Sequence, residues 1–339
     1  MRTVLRIGKA ALAGAQIMLV AGWVWLGLES RPVKASPGKP VVFEARKGSS
    51  VGAIASDLRA GGIIRKRAPF VLAYKLFFAP RGVKAGEYEL PEDGRVLDIL
   101  ERLVDGRVIL HPVTIAEGLT VREAIAHLAA SGFGRIEEFE AAARDPAGIA
   151  LLDPKAADLE GYLFPETYHF PKGASATEVL GRMTDQFREV FDASLRARAS
   201  ALGMGVRDAV TLASLIEEET ARPEERKLVS AVFHNRLRLG MKLDCDPTVI
   251  YGLSLLGPFE GRLRRKDLRT DTPYNTYMHA GLPPGPICSP GRASLEASLA
   301  PADADYLYFV SRNDGSHEFS RSLAEHSLAV RKYQRPAGR

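Results

Sequence analysis

Three consecutive glutamates close a short apolar segment, and one of them has the setting of a catalytic acid. The segment runs from Leu212 to Thr220. At about 3.6 residues per turn, an apolar stripe formed by Leu212, Leu215 and Ile216 continues to Glu219. A carboxyl group at the end of such a stripe faces the core or a cleft, where desolvation disfavours the anion and raises the pKa. Because a carboxyl group that stays protonated near neutral pH can donate a proton in catalysis, we predict that Glu219 is a general acid.

The helix that carries these glutamates is expected to start at Asp208 and to stop before Pro223. Aspartate is a good N-cap residue, and proline does not continue a helix. Glu217 and Glu218 fall on other faces of this helix. The alternative is that the helix frays at its end, in which case all three glutamates are solvated and none of them is an acid catalyst.

A second helix is expected between Pro223 and Gly240, since proline suits the first helical position and glycine the position after the last turn. Its apolar stripe ends in the opposite charge, with Val229, Val232 and Phe233 followed by Arg236. A carboxylate paired directly with Arg236 would have a lowered pKa. Contact between Arg236 and Glu219 would therefore weaken the prediction of a general acid.

The composition is that of an ordinary globular protein of 339 residues, long enough for two or three domains. The formal net charge is +5, and basic and acidic residues are interspersed, so the sequence shows no concentrated basic patch for nucleic acid. The two cysteines, Cys245 and Cys288, form no CxxC motif and have no histidine cluster beside them. They are either two free thiols or one disulfide, and the sequence predicts no metal site and no cofactor.

The N-terminus carries the pattern of a membrane anchor. Residues 10–28 are apolar apart from Gln16, which is long enough to cross a bilayer as one helix, and two tryptophans lie near the far end. Basic residues in the segment 1–9 place that segment in the cytoplasm and export everything after the span. A cleaved signal peptide is the alternative, but no convincing small-x-small site follows the tryptophans. Residues 29–40 are rich in proline and predict a tether.

A weak internal repeat follows, and each copy predicts a strand, a turn and a short amphipathic helix. Each copy has a β-prone run, a glycine and then apolar residues at helical spacing: Val51, Ile54 and Leu58, then Val96, Ile99 and Leu103, then Val121, Ala124 and Leu128. These copies make up a small α/β region over residues 41–131. The first copy, from Phe43 to Leu58, resembles the strand-to-helix corner of the LysM glycan-binding module, although a generic turn fits the same residues.

Residues 132–335 predict a mixed α/β domain that carries Glu219 on a helix. One long helix is expected from Thr177 to Leu202, and a loop rich in aromatic residues and proline runs from Glu160 to Tyr168. The predicted fold class is therefore α+β, with an N-terminal transmembrane helix, a small α/β subdomain and a larger catalytic domain.

The last third of the chain is dense in turn formers, such as the segment 246–251, and we expect stiff loops there. Loops of this kind that bear Asn, Thr and Tyr suit hydrogen bonding to sugar hydroxyls and acetamides, although they serve equally well to connect strands. A β-prone run at 306–310 and turn residues at 313–315 predict a final hairpin.

Five short motifs in a fixed order make the sequence similar to a known family. They are Glu219-Thr220, Asn235-Arg236-Leu237, Asp246-Pro247-Thr248, Tyr274-Asn275-Thr276-Tyr277 and Gly281-Leu282-Pro283-Pro284-Gly285. In this order they resemble the membrane-anchored endolytic murein transglycosylases, the MltG or YceG-like family, and the resemblance runs from the anchor to about Lys332. The family's catalytic glutamate is the one immediately before the threonine, which here is Glu219. The family's N-terminal part is similar to LysM, which favours a LysM-like fold for the first repeat copy.

The resemblance implies a lytic transglycosylase that cleaves the bond between N-acetylmuramic acid and N-acetylglucosamine in peptidoglycan without water and leaves anhydro-muramic ends. It also implies a role in ending the elongation of nascent strands, and a single-pass location in the bacterial inner membrane with a periplasmic C-terminal domain. The expected partners are peptidoglycan glycan strands, the membrane and cell-wall synthesis enzymes, with no nucleic acid. The residues assigned to substrate positioning are Glu166, Asn235, Thr248, Tyr274, Asn275 and Tyr277.

Three other functions fit parts of the sequence. A lysozyme-like hydrolase needs a second carboxylate at a defined separation, for which Glu166, Glu218, Asp244 and Asp246 are candidates. A non-catalytic glycan-binding scaffold would not need Glu219. A pyridoxal-phosphate lyase, a label that similar proteins have carried, would need a Schiff-base lysine, and no lysine has a suitable setting.

Overall fold

A computed structural model describes residues 16, 20, 22–25, 27, 30–33, 39–259 and 261–334. The chain forms two compact units, one of residues 1–111 with 169–173 and the other of residues 112–168 with 174–339. The predicted cytoplasmic segment 1–9, most of the predicted span 10–28 and part of the predicted tether lie outside the described residues. Within the described part of the chain, no single helix is long and apolar enough to cross a bilayer, and one pair of helices bent by 92°, Ala193–Ala201 with Val206–Glu219, meets that test together.

The first unit has one apolar core, built by helices and a two-stranded sheet. In chain order it contains β1 (Val41–Ala45), α1 (Val51–Ala60), α2 (Arg67–Ala73), β2 (Gly86–Leu90) and α3 (Val96–Asp105). β1 and β2 pair antiparallel, with Val41 opposite Leu90 and Ala45 opposite Gly86. Alternate strand residues such as Phe43 and Tyr88 point into the core that the helices share.

The three predicted repeat helices are all present, because α1, α3 and α4 (Val121–Ala130) begin at the predicted valines. At the first and third copies a glycine turns the chain in the left-handed region, with φ of 81° at Gly48 and 80° at Gly118. The copies pair differently, since β1 pairs with β2 whereas β3 (Leu110–Thr114) pairs with β4 (Thr167–Pro171). The LysM likeness and the domain limits at 41–131 and 132–335 remain predictions.

The second unit is mainly helical. After α4 it contains α5 (Ile136–Ala143), α6 (Ala176–Val190), α7 (Ala193–Ala201), α8 (Val206–Glu219), α9 (Arg226–Arg238), α10 (Asp246–Leu256), α11 (Arg292–Ser298), β5 (Tyr308–Ser311), β6 (His317–Ser320) and α12 (Leu323–Tyr333), with short 3-10 turns at Pro146–Gly148 and Asp267–Arg269. α8 contacts α9, α10 and α11. Every residue of α8 from Ala209 to Ile216 is buried, so this helix forms the centre of the unit.

The limits of α8 and α9 differ from the predictions. α8 begins at Val206, and Asp208 lies in its first turn, where its carboxylate accepts a hydrogen bond from the Gly205 N–H at 3.0 Å. α9 begins at Arg226 instead of Pro223, which lies in the preceding turn. The predicted end is confirmed, since Gly240 follows α9 with φ of 67°.

Two further predictions of secondary structure are wrong. The single helix expected from Thr177 to Leu202 is two helices, because Asp192 caps the start of α7 by accepting from the Ser194 N–H at 2.9 Å. The segment 246–251 is the start of α10 instead of a loop, with Pro247 in its first turn. The final hairpin is confirmed by the antiparallel pairing of β5 with β6.

Candidate active site

Glu219 is the last residue of α8, and its side chain is partly exposed. The helix stops there because Thr220 adopts an extended backbone, while its N–H still bonds to the Ile216 carbonyl at 3.3 Å. A buried helix therefore delivers Glu219 to the edge of the core.

The surroundings of Glu219 favour its protonated form. Burial raises the pKa of this carboxyl group to about 7, and the negative charges of Asp246 and Glu218 act in the same direction. A hydrogen bond from the thiol of Cys245 acts in the opposite direction, because it stabilises the carboxylate. At neutral pH a group with this pKa is present in both protonation states, as a residue that donates and then accepts a proton requires.

Arg236 is buried at the end of its apolar stripe, as predicted, but it does not neutralise Glu219. Its guanidinium donates to the carbonyls of Leu307 at 2.7 Å and Lys242 at 2.9 Å, and it pairs with the Asp244 carboxylate at 2.9 Å. Its distant charge lowers the pKa of Glu219 less than any other cause. The contact that would have weakened the prediction of a general acid is therefore not formed.

The three glutamates at the end of α8 have three different settings. Glu217 accepts from the Gly291 N–H at 2.9 Å and faces Arg226 at 3.6 Å, so it ties α8 to the start of α11. Glu218 is exposed, and its pKa is raised by burial and lowered by the nearby Cys288 thiol, which itself donates to the Ser214 carbonyl at 3.5 Å. The alternative in which all three carboxylates are simply solvated does not fit these contacts.

A turn before α10 carries the partner of Glu219. Cys245 is buried, and its N–H donates to the Thr276 hydroxyl at 3.0 Å. The Thr248 hydroxyl donates to the Cys245 carbonyl at 2.6 Å and lies 2.9 Å from that of Thr276. Both cysteines are free thiols, and burial raises the pKa of each well above the usual range, so they are hydrogen-bonding groups in this site.

Asp246 and Tyr277 form a hydrogen-bonded pair near Glu219. The Tyr277 hydroxyl donates to Asp246 at 2.6 Å, which is short and typical of a charged acceptor. Burial, followed by the bond to Asp246, raises the pKa of Tyr277, and the charge of Glu219 contributes to the same shift. The pair therefore places one negative charge and one phenol within electrostatic reach of Glu219.

A pocket of about 650 Å³ lies between α4, α5 and α10 in the second unit, and one acidic residue that lines it is not among the predicted site residues. That residue is Glu160, which accepts from the Val121 N–H at 3.0 Å and from the Tyr251 hydroxyl at 3.2 Å. Burial raises the pKa of Glu160 to about 8. The next residue, Gly161, has φ of 84° and no room for a Cβ beside Pro286.

Residues 43–332 match the YceG-like family. The chain belongs to this family. It is 32% identical over 321 residues to the endolytic murein transglycosylase of Bacillus subtilis strain 168, covering 89% of this chain and 87% of that protein. It is 28% identical over 334 residues to the endolytic murein transglycosylase of Streptococcus pneumoniae R6, and there it spans 60% of the relative's length. The crystal structure of a putative YceG-like protein from Listeria monocytogenes superimposes with a TM-score of 0.58 at 31% identity, covering 86% of this chain and 98% of that one.

Family membership confirms the predicted resemblance, while the roles assigned to individual residues in this YceG-like protein remain predictions. Among the residues assigned to substrate positioning, Tyr277 contacts Asp246 beside Glu219. Tyr274 is partly buried, and its ring packs edge-on against that of Tyr251 at 4.8 Å between centroids. Tyr277 therefore lies near Glu219, whereas Tyr274 packs against Tyr251, the tyrosine that binds Glu160.

Three of the assigned polar residues are occupied by the protein itself. Thr248 is fully buried in the Cys245 turn, so it cannot touch substrate in this arrangement and acts on the site only through that turn. Asn275 is buried, and its amide donates to the carbonyls of Leu268 and Thr270. The Asn235 amide likewise donates to the carbonyl of Ala304 at 2.8 Å.

Glu166 lies apart from these groups. It is exposed at the residue before β4, and its carbonyl accepts from the Ile115 N–H at 3.0 Å. None of the hydrogen bonds or ion pairs of the described residues joins Glu166 to Glu219. The assignment of Glu166 to substrate positioning remains a prediction.

Proposed function

We propose that this YceG-like protein is a peptidoglycan lytic transglycosylase that cleaves the bond between N-acetylmuramic acid and N-acetylglucosamine without water. The observation that carries the proposal is the setting of Glu219, a partly exposed residue at the end of a buried helix, whose carboxyl group has a pKa raised to about 7 and no ion pair to Arg236. The relatives from B. subtilis and S. pneumoniae, both named endolytic murein transglycosylase, support this choice of substrate and reaction.

In the proposed mechanism Glu219 acts first as acid and then as base. It protonates the glycosidic oxygen as the bond from that oxygen to C1 of the muramic residue breaks. The C6 hydroxyl oxygen of the same residue then bonds to C1, and its proton passes to the Glu219 carboxylate, which restores the acid. One carboxyl group serves both steps because the nucleophile is held within the substrate, which gives it a high effective concentration.

The neighbours of Glu219 tune this role. The Cys245 hydrogen bond supports the carboxylate formed after the first step, while the Asp246 charge favours return of the proton. We assign Tyr277 and Tyr274 to substrate positioning, with Asn235, Asn275 and Thr248 holding the surrounding loops. Glu166 is proposed to contact a more distant part of the strand.

A lysozyme-like hydrolase is the second candidate, and Asp246 is the observation that favours it. Hydrolases that activate water use two carboxylates across the scissile bond. Asp246 is close enough to raise the pKa of Glu219, although its carboxylate already accepts from Tyr277. Asp244 is paired with Arg236, and Glu218 lies on a different face of α8 from Glu219, which leaves Asp246 as the better second carboxylate.

The setting of the reaction is also proposed. The apolar stretch 10–28 anchors the chain in the bacterial inner membrane as a single-pass protein with its C-terminal part in the periplasm. Cleavage close to that membrane would end the elongation of nascent strands beside the cell-wall synthesis enzymes. The region 41–131, with its LysM-like start, would contact the glycan.

Mass spectrometry of the glycans released from purified peptidoglycan tests the proposal. We expect anhydro-ended products from the full-length protein in detergent and a loss of at least about a hundredfold in their rate for Glu219→Gln, since general acid catalysis contributes that much. Glu224→Gln is the matched control, because Glu224 is an exposed glutamate between α8 and α9. Reducing-end products from the parent would establish hydrolysis instead, and equal activity of Glu219→Gln would remove Glu219 from the mechanism.

A further inference from the structure

The pocket between α4, α5 and α10 has the form of a ligand site. Its volume of about 650 Å³ lies within the usual range for small-molecule sites. Its lining is mixed: isoleucines come from three helices, with Ile125 on α4, Ile136 on α5 and Ile250 on α10, and charged residues such as Arg122 and Glu140 lie among them. Ile136 and Ile250 keep 45% and 39% of their surface exposed. Exposed apolar side chains beside polar ones suit an amphipathic ligand.

The pocket is adjacent in the chain to the candidate acid. It is lined by Glu218, the residue before Glu219, and by Pro247, the residue after Asp246. The pocket therefore has lining residues from both of the helices, α8 and α10, that carry Glu219 and Asp246.

Glu160 is one of the acidic residues that line the pocket, and it is held from two sides. One of its oxygens accepts from the Val121 N–H and the other from the Tyr251 hydroxyl, so the group is held in one orientation. Each oxygen retains capacity for a further hydrogen bond, and the protonated group also has a donor. Because burial raises its pKa to about 8, Glu160 is mostly neutral at pH 7 and suits a neutral polar partner better than a cation.

Three of the acidic residues at the rim of the pocket bond within the protein. Glu123 bonds to Thr120 in the capping box of α4, and Glu140 faces Arg144 at 3.8 Å. Asp158 accepts from the Glu160 N–H at 2.9 Å. Arg122 also lines the pocket, and within the described residues its guanidinium has no hydrogen bond or ion pair, so the rim also carries one unpaired cation.

We propose that this pocket binds an N-acetylated sugar next to the reacting linkage and that Glu160 recognises its acetamide group. An acetamide matches the site because its methyl group suits the isoleucine walls while its C=O and N–H bond to a carboxyl group. This inference rests on the proposed function for the choice of a glycan. Glu160 is then a specificity residue outside the proton transfers.

A purely structural role is the competing explanation, since Glu160 also joins the first turn of α4 to α10. Loss of a structural clamp would weaken binding of every sugar equally. Loss of acetamide recognition would weaken binding of acetylated sugars alone.

The test is binding of two soluble neutral probes, a tetramer of N-acetylglucosamine and a tetramer of glucose with the same linkage, to the full-length protein in detergent. Titration calorimetry on the Glu219→Gln variant measures affinity in a protein with the candidate acid removed. We expect a preference for the acetylated tetramer, a loss of about tenfold for that probe alone in Glu160→Leu, and near-parent affinity in Glu160→Gln, which resembles the neutral acid. Equal loss for both probes, no loss in Glu160→Leu, or no preference in the parent would overturn the inference.

A wall substitution keeps the test decisive if Glu160→Leu does not fold. Ile250→Gln replaces a partly exposed side chain, and we expect it to weaken binding of the acetylated tetramer alone. Leu256→Gln is the matched control, because Leu256 is 70% exposed on the same helix and does not line the pocket. Equal affinity of Ile250→Gln and Leu256→Gln for the acetylated probe would contradict the assigned site.

These outcomes are separate from those of the proposed function. Product analysis decides whether the linkage is cleaved with or without water, whereas the tetramer affinities depend only on the pocket. A hydrolytic product with a selective loss in Glu160→Leu would overturn the lytic mechanism and leave the acetamide site in place.

Discussion

The thiol of Cys245 donates a hydrogen bond to the carboxyl group of Glu219, and within the described part of the chain no ion pair joins that carboxyl group to a cation. The thiol is buried and its own pKa is raised, so it stays protonated and acts only as a donor. A weak neutral donor supports the carboxylate without fixing it in the charged form, as an arginine would. This relationship leaves burial as the main influence on the pKa of Glu219.

Removing the thiol should shift the pH dependence of activity upward. The hydrogen bond stabilises the carboxylate, so its loss in Cys245→Ala raises the pKa of Glu219 above about 7. Since Glu219 must be protonated to donate, we expect the alkaline limb of the rate profile to move to higher pH. Rates of anhydro-product release between pH 5 and pH 9, about the range that brackets this group, measure the shift.

Cys288→Ala is the control for this shift. Cys288 is also buried, but its thiol donates to the Ser214 carbonyl at 3.5 Å and influences Glu218 instead of Glu219. We expect an unchanged alkaline limb in Cys288→Ala. The same displacement in both variants would show that loss of packing, and not the bond to Glu219, moves the profile.

Arg236 should be important for stability. Its buried guanidinium donates to the carbonyls of Leu307, Lys242 and Leu243 and to the Asp244 carboxylate. Arg236→Met leaves these acceptors unpaired, and we expect a loss of roughly 2 kcal/mol in the free energy of unfolding. Urea unfolding measures this loss of free energy, and Arg238→Met, on the exposed face of α9, is the control. A difference below about 0.5 kcal/mol between the two variants would contradict this role.

Parts of the fold with strong local patterns could be predicted from the sequence. α1, α3 and α4 have apolar residues at helical spacing after a turn glycine, and they form where expected. α10 was missed because Asp246 and Pro247 favour turns as well as the first turn of a helix. The break at Asp192 was missed because a capping aspartate does not interrupt the apolar spacing of the two helices it separates.

The candidate site was only partly accessible from the sequence. The apolar stripe along α8 pointed to Glu219, and the pKa of Glu219 is raised. However, the residues from Ala209 to Ile216 are buried on every face of the helix. The position of an apolar stripe therefore separates Glu219 from Glu217 and Glu218 less clearly than expected. Glu160 could not be found locally, because its partners Val121 and Tyr251 are 39 and 91 residues away in the chain. Cys245, the partner of Glu219, likewise lies just before another helix, α10, and no rule of sequence spacing links that position to α8.

The raised pKa of Glu219 should make the free energy of unfolding depend on pH. For Glu219 the folded pKa of about 7 exceeds the usual value of 4.5, so the fold binds this proton more tightly than the unfolded chain does. Its contribution to stability is full below pH 4.5 and is lost as the pH rises towards about 7. We expect Glu219→Gln to gain about 1–3 kcal/mol relative to the parent between pH 4 and pH 8.

Thermal or urea unfolding of both proteins across this range measures the gain. Glu224→Gln, at an exposed position, should follow the parent at every pH. A constant difference between Glu219→Gln and the parent across the range would mean that Glu219 titrates alike in the folded and unfolded states.

Gly161 should tolerate no side chain, because it combines a left-handed backbone with a close neighbour. Its φ is 84°, and a Cβ there would lie 2.4 Å from the Cβ of Pro286. Gly173 is a matched control with φ of 80° and nothing within 4 Å of its Cβ position. We expect Gly173→Ala to lose about 1 kcal/mol from backbone strain alone and Gly161→Ala to lose at least about 2 kcal/mol, because the clash adds to the strain. Urea unfolding measures the loss of stability in both variants. Equal losses would mean that Pro286 moves aside. In that case the Gly161→Ala variant should also keep the sugar binding that we assign to the neighbouring Glu160.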